Sequence, residues 1–319
     1  MADDWSRYWR SAEQPLEAMY AHFERHVYHR HSHETYSFGV TDSGAQTFTC
    51  RGGAHTSAAG MVMAFNPDDP HDGHAADELG FTYRMIHIGP ELVTGVLADM
   101  AERRVGRPLF AEPVLDDPAL ARRLRALHAA LLDGRAGAAG PASAAGLAGP
   151  IGPIGSAGAT ALRRDELLVA TVCALVRRAT RSAAPAALAA SSAPPGRSGR
   201  SASPKDAARV AERARQLIHA AFLEDISAES LAAATGRSRF AVYRAFTAAH
   251  GMAPSDYQRQ LRLREARRLL ARGRPIGEVA AQTGFADQGH LTRWFGRYYG
   301  ITPGGYRRAS GGFPTTTEN

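Results

Sequence analysis

Two stretches of this 319-residue chain, LAAATGRSRFAVYRAF at 231–246 and VAAQTGFADQGHLTRWF at 279–295, are copies of one pattern. Ala232-Ala233 leading to Thr235-Gly236 returns 48 residues later as Ala280-Ala281 leading to Thr283-Gly284. Arg244, Phe246, Gly251, Pro254, Tyr257 and Arg259 return 49 residues later as Arg293, Phe295, Gly300, Pro303, Tyr306 and Arg308, so the second copy carries one extra residue in its turn. Each copy reads as a short helix (Ala228 to Ala234; Gly277 to Gln282), a glycine turn and a second helix (Ser238 to Ala248; Asp287 to Tyr298). Alanines in the first helix let the second approach, glycine permits a positive φ at the turn, and Phe246 or Phe295 fills the core. That is the grammar of a helix-turn-helix unit, written twice.

Outward from the repeat, Ser203-Pro204-Lys205-Asp206 offers an N-cap, a proline at the first helical position and an acid at the third, so a helix is expected to open there. Val210, Leu217, Ile218 and Phe222 form its apolar stripe. Between the copies, Pro254 starts a long helix through Ala271, with Leu261, Leu263, Ala266, Leu269 and Leu270 available for packing. Residues 181–203 are rich in Ala, Ser, Pro and Gly and read as a linker. The positive charge follows this division. The net +7 is made of 17 arginines against 21 acids in residues 1–180, net −4, three arginines and no acid in 181–204, net +3, 17 arginines plus Lys205 against 9 acids in 205–309, net +9, and Glu318, −1. Such asymmetry points to an acidic module tethered to one that meets a polyanion.

The first half is read differently. Tyr36, Phe38 and Val40 alternate, Asp42-Ser43-Gly44 signals a turn, and Phe48 and Cys50 resume the alternation, which predicts a hairpin. Met61 to Phe65 and Phe81 to Ile88 read as further strands, giving a sandwich or small barrel. Leu120, Leu124, Leu127 and Leu131, then Leu167, Leu168, Val172, Leu175 and Val176, predict two trailing helices at about 115–132 and 162–180. Their stripes suit either self-association or a cover for the barrel. The glycine-rich stretch 134–160 between them reads as a flexible insert. Trp5, Tyr8 and Trp9 are expected as an arm over a ligand or as an amphipathic helix on the barrel. The chain opens without a basic region and apolar core, so no signal peptide is expected, and the glycine- and proline-rich run 136–162 argues against a membrane span. Cys50 and Cys173 share no spacing motif, which fits a reducing cytoplasm.

Over residues 205–308 the chain resembles the AraC/XylS family of bacterial transcription regulators. Leu231-Ala232, Gly236, Arg244-Ala245-Phe246, Gly251, the run Ile276-Gly277-Glu278-Val279-Ala280-Ala281-Gln282-Thr283-Gly284-Phe285, His290-Leu291-Thr292-Arg293-Trp294-Phe295 and Gly300-Ile301-Thr302-Pro303 carry the likeness. It implies two helix-turn-helix units joined by a rigid helix, each placing its second helix in the major groove of double-stranded DNA. Arg239, Phe240, Tyr243 and Arg244 are the expected DNA-reading residues of the first unit, and Asp287, Gln288, His290, Thr292 and Arg293 those of the second. The alternative for Arg244 and Arg293 is a phosphate, or an acid within the domain. Ala286 and Gly289 stand where the family commonly has a polar cap and a polar residue, so the second recognition helix is expected to start less firmly.

Residues 20–90 resemble, more loosely, the cupin-like β-barrel that binds sugars and other small molecules in these regulators, through His31-Ser32-His33, Tyr36, Gly44, Gly60, Asn66-Pro67 and Pro70-His71. Trp9, His31, His33, Tyr36 and His71 are the expected effector contacts. His31, His33 and His71 match the histidines with which cupin enzymes hold a metal, but the acid of that set is missing. No cofactor or enzymatic activity is expected, and the three imidazoles are read as hydrogen-bonding residues of an effector pocket rather than as metal ligands, with a zinc-type site as the alternative. The resemblance implies a two-domain α+β protein. A cupin-like effector and dimerisation domain spans 1–180, a linker 181–203, an all-α double helix-turn-helix domain 204–309, and a tail 310–319. It also implies a cytoplasmic, homodimeric activator that meets RNA polymerase and answers to a sugar or metabolite. The rival reading is a cupin-type metal-dependent enzyme fused to a DNA-binding domain.

Overall fold

The computed structural model describes residues 4–101, 106–133, 156–182, 203–311 and 315–318. The aromatic N-terminal segment is neither arm nor helix. It forms strand β1 (Trp5–Arg10), followed by β2 (Leu16–Phe23), β3 (Tyr28–His31), β4 (Tyr36–Cys50), β5 (Gly53–Ala58), β6 (Val62–Phe65), β7 (His71–Ala75) and β8 (Phe81–Ile88). These strands pair antiparallel throughout. The expected hairpin at Asp42-Ser43-Gly44 is instead a bulge within the single strand β4. Thr41 opposes Tyr83 and Ser43 opposes Thr82, so one extra residue sits on β4. Such an insertion bends the strand and turns over its apolar face. Before the bulge, Tyr36, Phe38 and Val40 face one core; after it, Phe48 and Cys50 face another. The extra residue, Asp42, receives Arg84 (2.6 Å) and Arg125 (2.7 Å). Gly44 is required here, because its φ is +68° and a Cβ would lie 2.0 Å from the Gly80 carbonyl oxygen.

Helix α1 (Pro90–Ala101), the short β9 (Val114–Leu115), α2 (Pro118–Asp133) and α3 (Ser156–Ser182) complete the first half. The leucine stripe of α2 and Leu168, Val172 and Leu175 of α3 are buried together against Trp9, Tyr36, Phe38 and Ile86. These stripes therefore cover the sheet. Helix α3 begins at Ser156, inside the segment expected to be an insert, and runs to Ser182, into the linker expected at 181–203, whose last residue, Ser203, caps α4; the rest of the expected insert and residues 183–202 lie outside the described residues.

The second half is helical: α4 (Pro204–Ala221), α5 (Ala228–Thr235), α6 (Arg239–His250), α7 (Pro254–Ala271), α8 (Ile276–Gln282), α9 (Gln288–Tyr299) and α10 (Pro303–Ala309). Ser203 caps α4 through the amide of Asp206, with Pro204 in the first turn. The pairs α5–α6 and α8–α9 are the two repeated units. In both, the turn glycine adopts positive φ, +64° at Gly236 and +74° at Gly284. The expected tail contributes β10 (Thr315–Glu318), which pairs with β1.

The two halves do not sit apart. The first unit closes its own core, in which Val210, Ile218, Leu231, Val242, Phe246 and Leu261 meet. The second unit shares a core with the inner face of the sheet, where Phe295, Tyr298 and Tyr306 join Tyr8, Met19, Phe23, Tyr28 and Met85. Burying apolar surface from both halves in one cluster docks them firmly.

Candidate DNA-reading helices and effector pocket

Each recognition helix is begun by a side-chain cap. Ser238 accepts from the amide of Ala241, and Asp287 accepts from the amide of His290 at 2.6 Å. The second helix thus starts firmly, against the expectation drawn from Ala286 and Gly289: the capping residue is simply one place later. Of the expected contacts, Arg239, Phe240, Tyr243 and Arg244 are all exposed on α6, with Phe240 67% and Tyr243 51% accessible. Large aromatic side chains standing in water on a helix are unusual without a partner surface. Arg244 lies over the Phe240 ring at 5.0 Å, and Arg239 pairs with Glu229.

On α9, Gln288 and Arg293 are exposed and project from the helix. The others are occupied locally. Asp287 is the cap, His290 accepts the Trp294 indole N–H on Nε2 (3.0 Å), and the Thr292 hydroxyl donates to the Gln288 carbonyl. Arg307 and Arg308 add positive charge in the last turn of α10.

The effector residues separate by strand parity. His31, His33 and His71 line a cavity at the inner face of the sheet, together with Tyr8, Met19, Phe48, Met63, Tyr83, Met85 and His87. Trp9 and Tyr36 do not reach it. Neighbouring residues on a strand point to opposite faces, so Trp9 joins the core under the helices while Tyr8 faces the cavity, and the Tyr36 hydroxyl donates to the Pro108 carbonyl. The cavity holds about 50 Å³, room for an ion or a few waters. Its fourth wall comes from the helical half: Arg267 of α7, Tyr298 and Tyr299 of α9 and Tyr306 of α10.

That wall is built on ionic and polar contacts between the halves. Gln260, Arg264, Arg267 and Arg268 repeat at helical spacing along α7. Gln260 accepts the Ser32 amide at 2.7 Å and donates to the Ser32 hydroxyl, Arg264 pairs with Asp68 (2.8 Å), and Arg268 with Glu34 (3.2 Å). Arg267 pairs with the buried Glu17, which also accepts from Tyr8 and, at 3.3 Å, from Tyr306. Burial pushes the Glu17 carboxyl up, but the Arg267 charge, the nearby His87 and the Tyr8 hydrogen bond hold it at about 2. Glu17 is therefore a carboxylate shared between Arg10 of its own half, at 3.1 Å, and Arg267 of the other. Burial acts on the cavity histidines in the opposite sense, holding His71 and His87 at about 4 and His31 and His33 well below the ordinary histidine value. All four are neutral near pH 7.

The α7 contacts and the four cavity walls were not legible in the sequence. Arginines at 264, 267 and 268 read as part of a DNA-facing charge excess, and no local signal tells a solvated arginine from one that meets a distant acid. His87 and Tyr83 were within reach, since they alternate inward on the expected strand at 81–88.

Residues 13–148 match the family model of the AraC-like ligand binding domain, and residues 231–309 match that of a helix-turn-helix domain. The chain belongs to the AraC/XylS family. It is a transcription regulator with an effector-binding half and a DNA-binding half. Similar proteins agree with that placement. The HTH-type regulator YbfI of Bacillus subtilis is 25% identical over 266 residues, 82% of this chain and 80% of that protein. The transcriptional activator NphR of a Rhodococcus species is 35% identical over 105 residues, 33% of this chain and 30% of that one. Among solved structures, an apo variant of ToxT from Vibrio cholerae superposes with a TM-score of 0.50 at 9% identity, covering 94% of this chain and 99% of that one, which concerns the fold alone. Among the described residues, no helix of this AraC/XylS regulator is long and apolar enough to cross a membrane.

Proposed function

We propose that this AraC/XylS regulator is a cytoplasmic, non-enzymatic activator in which occupancy of the barrel cavity sets how the DNA-reading half is held. One observation carries this reading: Arg267, Tyr298, Tyr299 and Tyr306 belong to the DNA-binding half yet form a wall of the effector cavity. A ligand there touches both halves at once, and it can shift the docking equilibrium only by its differential affinity for the docked and undocked states. The effector domain at 1–180 and the DNA-binding domain at 204–309 are then coupled through α7 rather than merely tethered. Action on RNA polymerase and a homodimeric state follow the family pattern. The apolar stripes of α2 and α3 are spent on the sheet, so the dimer contact falls on another surface.

DNA reading is assigned to Arg239, Phe240, Tyr243 and Arg244 on α6 and to Gln288 and Arg293 on α9, with Asp287, His290 and Thr292 shaping the start of α9. Footprinting on DNA flanking the chain's own gene, with and without a panel of sugars and metabolites, tests the reading. One protected site whose affinity responds to an effector is expected. Equal affinity for that site and for random duplex at physiological salt refutes it. Replacing Arg293 by Ala is expected to cost about 1 to 3 kcal/mol and to relax base choice at one position; a uniform loss across sequences assigns it to phosphate instead.

A further inference from the structure

The imidazoles of the cavity have no role in reading DNA, yet they are arranged with care. Strand register places His31 directly opposite His71, and His33 follows His31 by two residues. The ligand atoms of the three lie within 4.8 Å of one another, and His31 Nε2 is 3.1 Å from His33 Nε2. Two nitrogens bound at 2.0–2.1 Å to one tetrahedral ion stand about 3.4 Å apart, so this pair is already at ligand spacing. The other ring nitrogens are anchored. His31 Nδ1 donates to the His29 carbonyl at 2.7 Å, and His71 Nδ1 donates to the Asp69 carbonyl at 2.8 Å. A nitrogen that donates to a carbonyl carries the proton, which leaves the lone pair on Nε2 of each ring; backbone carbonyls fix metal-bound imidazoles in the same way.

The surroundings permit a cation. Arg267 on the opposite wall is matched by Glu17, and Asp72 in the lining is matched by Arg30 at 3.3 Å, so no unpaired charge repels an ion from these walls. A cavity of about 50 Å³ accepts an ion with a few waters, whereas a sugar would require the walls to move.

We propose that His31, His33 and His71 bind one divalent transition-metal ion of the zinc class, with the fourth coordination position open to the cavity. Three neutral imidazoles with an open position are a donor set suited to zinc. The open position takes water or an oxygen atom of an effector. The ion thereby becomes part of the ligand chemistry of the pocket that we read as regulatory, and the inference rests on that reading only for its regulatory consequence.

The test uses the full chain, stripped with a chelator and titrated with Zn²⁺ by calorimetry and with Co²⁺ by visible absorption. One equivalent per chain and an intense tetrahedral-type Co²⁺ band are expected. His33→Ala and His71→Ala should each weaken binding by about tenfold or more. His74→Ala, exposed on the same strand as His71, should bind as the parent does. Absence of stoichiometric binding by the parent chain overturns the proposal whatever the variants do, as does binding that survives both ligand replacements. Operator binding by the metal-free chain is measured alongside. Operator selectivity without metal binding sinks the metal site and spares the regulator; metal binding without operator selectivity does the reverse.

Discussion

Replacing Arg267 by Met should weaken the docking of the two halves at the ion pair with Glu17. Glu17 is buried, and in the parent chain its carboxyl is held at about 2 against an ordinary 4.5. A displacement of this size is worth about 3 kcal/mol at roughly 1.4 kcal/mol per pKa unit. Loss of Arg267 removes the largest lowering charge and leaves the burial, with Arg10 and Tyr8 still on the carboxylate, so the Glu17 carboxyl rises from about 2 and the cost should be about 3 kcal/mol. Glu17→Gln alone leaves Arg267 buried without its carboxylate and should also destabilise. The double variant should recover much of the loss, with a coupling of about 2 kcal/mol or more. Urea unfolding followed by tryptophan fluorescence reads both halves, since Trp5 and Trp9 lie on β1 and Trp294 on α9. The pH dependence has a definite sign. The folded pKa is depressed, so the parent's Glu17 contribution is present above pH 4.5 and is lost as pH falls towards 2, and the gap between parent and Arg267→Met should close over that descent. A gap below about 0.5 kcal/mol at pH 7, or additive single effects, refutes the role given to this pair.

Three other outcomes follow from particular side chains. His128 is buried with Nε2 donating to the Met19 carbonyl at 2.9 Å, and burial holds it at about 4. Its depressed pKa leaves stability intact above 6.5 and erodes it as pH falls towards 4. His128→Gln should therefore show about 2 kcal/mol less acid destabilisation between pH 8 and pH 5 in denaturant titrations, and an unchanged pH slope would contradict this. Asp287→Ala should cost about 1 kcal/mol of stability through the lost cap and weaken binding to all DNA sequences alike; unchanged stability with altered base choice would instead make Asp287 a reader. Gly44→Ala forces a Cβ against the Gly80 carbonyl in left-handed backbone and should cost about 3 kcal/mol, checked by the thermal midpoint.

Much of the helical half was legible because its information is local. Caps, turn glycines and a core phenylalanine recur at fixed offsets, and the extra residue in the second turn appears as the move from Ser238 to Asp287 as the capping residue. The strands at 62–65 and 81–88 followed from alternation for the same reason. Alternation also misled: the bulge at Asp42 preserves the periodic pattern on both sides while turning the face over, so one bent strand read as a hairpin, and Tyr36, expected from the resemblance to meet the effector, packs under the helices instead. Trp9 failed on the same parity, one position from Tyr8, which does line the cavity.

The charge division shows where sequence stops. The −4 and +9 halves are fixed by composition, and their contrast rightly indicated a DNA-binding module. What composition cannot contain is that Arg264, Arg267 and Arg268 spend their charge on Asp68, Glu17 and Glu34 of the acidic half. Local propensity determined the helices and the recognition units. Only tertiary packing decided that α7 lies along the barrel, because a pairing across some 250 residues has no signature at either end until the chain has folded and both charges have left water.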